Sequence, residues 1–230
     1  ISECDFVVIC APLSEYEKIF STCNKYLKKN VVVTDVGSAK KSTIAKINKI
    51  KRKDINWISS HPIAGSEVSG PSNGDENLFI NKWSVIIKQK NSSSSQIKKI
   101  MKFWKLLGSR PVTMDADQHD KIFAITSHLP HLIAYNLILT ATNFKSSNKN
   151  NILKFSAGGL RDFSRIAASN EIMWRDIFFN NKVNMLKVID LFINNLKIFK
   201  REIKQNRKSL EVKLKKLKKV RQKIILLKQD

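Results

Sequence analysis

A histidine, a few small hydroxyls and a local concentration of arginine are the side chains of this sequence whose spacing could do chemistry. His61 opens the block His61-Pro62-Ile63-Ala64-Gly65-Ser66-Glu67-Val68-Ser69-Gly70, directly after an apolar, strand-like run from Ile55 to Ser59. In an alternating α/β pattern the carboxyl ends of strands are where ligands are held, and a neutral imidazole there can accept a proton. The plainer alternative for one His before Pro is a loop residue bonded to backbone.

The second block is Gly158-Gly159-Leu160-Arg161-Asp162-Phe163-Ser164-Arg165-Ile166-Ala167, followed by Met173-Trp174-Arg175-Asp176. The chain has 42 Lys+Arg, yet only eight are Arg, and Arg161, Arg165 and Arg175 fall together here. A planar guanidinium grips carboxylate or phosphate through two parallel bonds, which an ammonium cannot imitate. The bias therefore suggests an anionic ligand; the competing reading is an Arg161–Asp162 pair that caps a helix.

The elements that must position these blocks change character along the chain. Strands are expected at Phe6 to Ala11, Val31 to Val36, Asn56 to Ser60, Trp83 to Lys88 and Pro111 to Met114. Helices are expected at Ser14 to Lys29, Lys41 to Lys51 and Gln96 to Leu107, the last closed by Gly108. Alternation of this kind implies βαβ units and a parallel sheet. After Asp115 the pattern is helical throughout, and Pro130 should kink or restart the long segment from Asp117 to Phe144. Apolar residues at Leu186, Ile189, Phe192, Leu196, Phe199 and Ile203, and at Leu210, Leu214, Leu217, Ile224 and Leu227, recur every three or four positions. Two amphipathic helices follow, their stripes packing on a partner subunit.

Composition bounds the function. At 230 residues the chain can bury a proper core. Its net charge of +23 arises as Lys rises together with Asn and Ile, without an arginine-rich groove interleaved with aromatics, so no nucleic-acid partner is expected. No apolar run approaches the roughly 20 residues that span a bilayer and no signal peptide is visible, so a cytoplasmic protein off the membrane is expected. Cys4, Cys10 and Cys23 form no CxxC pair and read as reduced core residues. His119, Asp120, His128 and His131 are close in sequence, but no H-E-x-x-H spacing occurs and Pro130 interrupts the register, so no metal is expected. His119-Asp120 is expected instead to begin a helix and anchor it to its neighbour.

The chain begins at Ile1 and enters a buried-strand pattern almost at once. Its seven glycines, at 37, 65, 70, 74, 108, 158 and 159, contain no G-x-G-x-x-G. A dinucleotide fold without that turn cannot hold pyrophosphate normally, so a strand-helix-strand unit of about 50 residues is expected upstream.

Taken in order, Asp35-Val36-Gly37-Ser38-Ala39-Lys40, the His61 block, Asn77-Leu78-Phe79, His119-Asp120, Ser127-His128-Leu129-Pro130-His131 and the arginine block strongly resemble the prephenate dehydrogenases, particularly the bacterial cyclohexadienyl type. The resemblance covers essentially the whole chain and departs only at its start. It implies an α/β Rossmann-like domain lacking its first unit over 1–114, then an all-α substrate-binding and dimerisation domain over 115–230. It also implies NAD- or NADP-dependent oxidative decarboxylation of prephenate or arogenate by a homodimer. His61 matches the catalytic histidine at the substrate hydroxyl, and Ser38 the serine that orients hydroxyl and imidazole. Arg165 matches the arginine that grips carboxylate, with Arg161 in support. His131 and Ser127 match pocket residues, Glu67 and Trp174 shape or close the pocket, and Asp162 aligns its neighbours. Cofactor contacts are implied at Pro12, Asp35, Gly37 and Ser38. The alternatives are another Rossmann-plus-helical dehydrogenase of β-hydroxyacid or imine type, and a catalytically silent binding module.

Overall fold

The computed structural model describes residues 1–66, 68, 70–90, 92–144 and 154–227. Glu67, singled out above as a pocket residue, lies outside the described residues.

Three short strands rich in β-branched side chains form a parallel sheet in the order β1 (Phe6–Ile9), β2 (Val32–Asp35), β3 (Asn56–Trp57). Phe6 lies opposite Val32 and Val33 opposite Trp57. α1 (Tyr16–Asn24) and α2 (Lys41–Ile50) supply the two crossovers that parallel neighbours require. Tyr16, Phe20 and Ile47 of these helices pack on Val31, Val33 and Trp57, all nearly inaccessible to water.

The segment from Asn56 continues past the first sheet. The Ile58 amide donates to the Val33 carbonyl, and one residue later the Ser59 carbonyl accepts from the Ile87 amide. The chain thus passes into a second sheet, ordered β4 (Ser60–Pro62), β5 (Trp83–Ile87), β6 (Arg110–Met114), and delivers His61 on its first strand, β4. Here the all-parallel expectation is corrected. β5 runs antiparallel to β4; among the described residues the connection from Pro62 to Trp83 holds one short 3₁₀ turn, Pro71–Asn73, and no crossover helix. β6 returns parallel to β5 through α3 (Ser94–Leu106). Gly108 closes α3 at φ +80°, where an added Cβ would meet the Ile80 backbone at 3.2 Å.

Asp115 begins the helical half: its carboxylate accepts from the Gln118 amide at 2.8 Å and caps α4 (Ala116–Phe123). Ala124–His128 then widen into a π turn, with the Leu129 amide donating to the Ala124 carbonyl, and α5 (Leu129–Asn143) restarts with Pro130 in its first turn. The expected restart is observed, and its form follows from the missing proline N–H. By length and composition Ala116–Asn143 is long and apolar enough to cross a membrane, which corrects the statement that no apolar run approaches that length. Its buried His119, Asp120 and His128 are nevertheless bonded to other parts of the protein, as in a helix seated among protein neighbours.

α6 (Gly158–Ile166) and α7 (Glu171–Asn180) carry the arginine block. The Asn170 side chain accepts from the Met173 amide and caps α7. Asp176 accepts from the Ser14 amide at 2.9 Å, tying α7 to the turn before α1. The chain falls into two compact units, 1–185 and 186–230. In the second, within α8 (Lys182–Lys204) and α9 (Ser209–Leu226), Glu202 is buried and pairs with Lys213 at 2.7 Å. Leu186, Leu196, Ile203, Leu214, Leu217 and Ile224 are each at least half exposed.

Candidate active site

His61 is the centre. It is 7% exposed, and its Nδ1 lies 2.8 Å from Nε2 of His119 on α4. The Nδ1 of His119 in turn lies 2.8 Å from Oδ1 of Asp120. Asp120 also accepts from the Lys40 and Lys41 amides, each at 2.9 Å, and so caps α2 from a distant part of the chain. The expected anchoring role of His119-Asp120 is therefore present, with a link to His61 that spacing alone did not suggest. The Phe123 ring meets His61 edge to face at 4.8 Å. Burial above all, then the charges of His119, Lys40 and His128, holds the His61 pKa well below the ordinary histidine value. His61 is therefore neutral at physiological pH, as a proton acceptor must be.

A cavity of about 430 Å³ opens beside it, walled by Ser38, His61, Phe123, Ser127, His131, Arg165 and Trp174 among others. Six residues from six separate elements or turns, all singled out from sequence, meet here. Ser38 leaves the carboxyl end of β2 just before α2, His61 lies on β4, and Ser127 is in the π turn. His131 follows one turn later, and its Nδ1 lies 2.9 Å from the Ser127 carbonyl. A neutral ring must donate from Nδ1 there, which leaves Nε2 as an acceptor. The ring stacks on the Trp174 indole at 3.7 Å and 22°. Arg165, in the last turn of α6, brings the cationic fork to the wall.

Other expectations are corrected. Asp162 and Arg161 are exposed on α6 and are not among the residues that wall the cavity. Asp35 is fully buried, and its carboxylate is held by Lys40 Nζ at 2.7 Å, the Gly37 amide at 3.1 Å and the Ser59 hydroxyl. It has nothing left to offer a cofactor directly. Gly37 is required by packing: a Cβ there would meet Leu13 at 2.6 Å and the Tyr16 hydroxyl oxygen at 2.9 Å. Pro12 is exposed beyond the end of β1, and Ser38 is half-buried at the cavity. The cysteines expected in the core lie outside it, Cys4 and Cys10 exposed and Cys23 half-buried. Sequence reasoning passed over Lys40, His119 and His128 as neighbours of His61. Separations of 58 residues for His119 and 20 for Lys40 to Ser60 carry no local signal. Among the described residues no cluster of three His, Cys, Asp or Glu side chains is placed to hold a metal ion.

The residues present fit a dinucleotide only in part. The parallel β1 and β2 end beside each other at Ile9 and Asp35, leading into Pro12 and Ser38, and Ser38 reaches the wall of the His61 cavity. That is where the reacting end of a dinucleotide would meet a substrate in a fold of this kind.

A family model described as prephenate dehydrogenase, nucleotide-binding domain, matches residues 1–113, and one described as prephenate dehydrogenase, dimerization domain, matches 115–219. The chain is 35% identical over 197 residues to a cyclohexadienyl dehydrogenase of Zymomonas mobilis, covering 86% of this chain and 67% of that protein. It is 27% identical over 197 residues to a prephenate dehydrogenase of Bacillus subtilis, covering 85% of this chain and 53% of the relative. The chain thus spans about two thirds of the first relative and about half of the second. A crystal structure of prephenate dehydrogenase from Aquifex aeolicus, in complex with hydroxyphenyl propionate and NAD+, superposes with a TM-score of 0.89 at 32% identity, over 96% of this chain and 76% of that one. The Synechocystis arogenate dehydrogenase, at 22% identity and a TM-score of 0.81 over 97% of this chain and 80% of that one, shares the fold.

Proposed function

The chain belongs to the prephenate dehydrogenase family, and on that premise we propose that it forms most of an enzyme that oxidatively decarboxylates prephenate, arogenate or both, in tyrosine biosynthesis. One observation carries this reading: a neutral, buried imidazole and a guanidinium share one cavity wall. The substrate class has a ring hydroxyl to be deprotonated and carboxylates to be gripped, and the cavity offers one partner for each.

His61 accepts the hydroxyl proton as hydride leaves the same ring carbon. NAD or NADP, when bound, would supply the acceptor for that hydride. The electron pair of the bond to the ring carboxylate then flows into the ring, carbon dioxide leaves, and the ring becomes aromatic. The oxygen formed at the old hydroxyl position recovers the proton from His61, so atoms and charge balance. Ser38 stands at the cavity to bond the hydroxyl and set its direction, while Arg165 grips a carboxylate and Ser127 and His131 bond the remaining polar groups. Phe123 and Trp174 exclude water on the apolar sides. Of the cofactor, the residues of this chain would hold the nicotinamide end, at Pro12 and Ser38.

We assign residues 1–114 to the nucleotide and 115–230 to substrate binding and a homodimer, in the cytoplasm. The dimerization description of the family model over 115–219 and the exposed apolar residues of α8 and α9 support this division. The test is a turnover assay on the protein extended upstream to the length of its relatives. Reduction of NAD+ or NADP+ that depends on prephenate or arogenate, with release of carbon dioxide, is expected. Cofactor binding without turnover of either compound would overturn the assignment.

A further inference from the structure

We propose that His119 is a positioning residue which, held by Asp120, fixes the tautomer of His61 so that Nε2 is the ring nitrogen with the free lone pair. Each link follows from hydrogen-bonding capacity. The Asp120 carboxylate can only accept, and its oxygens already receive the Lys40 and Lys41 amides. At 2.8 Å from Oδ1, the Nδ1 of His119 must therefore donate. His119 is fully buried, and burial pulls its pKa below the ordinary value, so the ring is neutral and its Nε2 is bare.

Two bare ring nitrogens 2.8 Å apart would repel, so the facing Nδ1 of His61 carries the hydrogen. Neutral His61 then has its lone pair on Nε2, on the side of the ring away from His119. The sequence Asp120, His119, His61 transmits orientation without moving a proton along it. The anchor is stiff: the Asp120 carbonyl accepts from Asn181 Nδ2 at 2.7 Å, and the same nitrogen lies 3.2 Å from His128 Nδ1. The other titratable or charged groups facing His61 are Lys40 before α2, Asp35 at the end of β2, His128 in the π turn, and His131 and Arg165 across the cavity. The group that faces His61 Nδ1 at hydrogen-bond distance is His119 Nε2, so the tautomer rests on His119.

The catalytic consequence rests on the function proposed above; the tautomer does not. It can be read from ring ¹⁵N signals of the 230-residue chain labelled at histidine, without substrate or cofactor. A protonated Nδ1 and a bare Nε2 on His61 are expected. His119→Leu, which removes the acceptor, should shift His61 toward a protonated Nε2. His119→Gln, whose carbonyl can take the place of Nε2, should keep the parent pattern. In the upstream-extended protein His119→Leu should lower kcat by roughly tenfold or more, but by less than the full 10²–10⁴ that a general base supplies, and His119→Gln should restore most of it with KM unchanged. A parent His61 with bare Nδ1, or an unaltered tautomer in folded His119→Leu, would overturn the proposal, and the parent measurement decides even if that variant does not fold. The expected tautomer in a protein that turns over neither substrate would overturn the functional reading and leave the relay standing.

Discussion

Lys40 Nζ lies 2.7 Å from Asp35 Oδ2, and both side chains are wholly buried. Lys40 also donates to the Ser60 carbonyl, so the pair ties the end of β2 to the strand that carries His61. Burial pulls the lysine pKa down, against the attraction of Asp35. Removing one member strands the other charge in the interior. Lys40→Met should therefore cost about 3–5 kcal/mol of stability, seen as a lower midpoint in urea. Adding Asp35→Asn to Lys40→Met should recover part of the loss. A single variant as stable as the parent would mean that Asp35 is neutralised by other means.

Much of this arrangement was legible in the sequence, but unevenly. β-branched runs and helical periodicity located the strands and helices of the first half within a few residues, because each is a local pattern. The identity of Asp35 misled, since a carboxylate at a strand end reads as a ligand contact unless its buried partner is known, and nothing in Asp35-Val36-Gly37-Ser38-Ala39-Lys40 says that the lysine folds back. His119 was noticed only for its type. Its meeting with His61 depends on how α4 docks before α2, a tertiary fact with no periodic signature. Arg165 was legible because arginine is scarce here, whereas which of the neighbouring Arg161, Asp162 and Arg165 reaches the cavity required the packed structure.

His61→Asn removes the proton acceptor and keeps a polar side chain of similar reach. In the upstream-extended protein it should lower kcat by roughly two to four orders of magnitude with little change in KM. Steady-state rates decide this, and an unchanged kcat would reduce His61 to a packing residue.

Acid should destabilise the fold through its buried histidines. The pKa of His128 is depressed to about 4, chiefly by burial, and those of His61 and His119 are lowered for the same leading reason. Below the ordinary histidine value of about 6.5, the unfolded chain binds protons that the folded one refuses. Stability is then full above that value and falls as pH drops toward 4. His128 alone should account for a loss on the order of 3 kcal/mol across that window. Denaturant midpoints measured at steps between these pH values test the slope, and a flat profile would show that the rings are protonated in the native state.

The exposed apolar residues of α8 and α9 predict self-association. Leu186, Leu196, Ile203, Leu214, Leu217 and Ile224 are too many and too regularly spaced to stay bare in water. Light scattering at micromolar concentration should give twice the chain mass, and Leu196→Glu with Leu217→Glu should shift the protein toward monomer. A monodisperse parent monomer would remove the dimer from the account.

Arg165 asks whether geometry or bare charge matters at the cavity wall. Arg165→Lys keeps the charge but loses the fork, so in the upstream-extended protein it should recover only part of what Arg165→Ala loses. If carboxylate is gripped equally in ground and transition states, the deficit falls on KM and kcat is spared. Losing one charge-assisted bond costs about 1.5–3 kcal/mol, roughly ten- to a hundredfold in kcat/KM. Cofactor affinity, measured by titration in the absence of substrate, should stay at the parent value, because the cavity wall formed by α6 lies with the substrate groups. A parental KM in Arg165→Ala, or an equal loss of cofactor binding, would show that the guanidinium is structural. The carboxylate would then have to be held from another part of the cavity, where the His131 ring and the Ser127 hydroxyl are candidate polar groups.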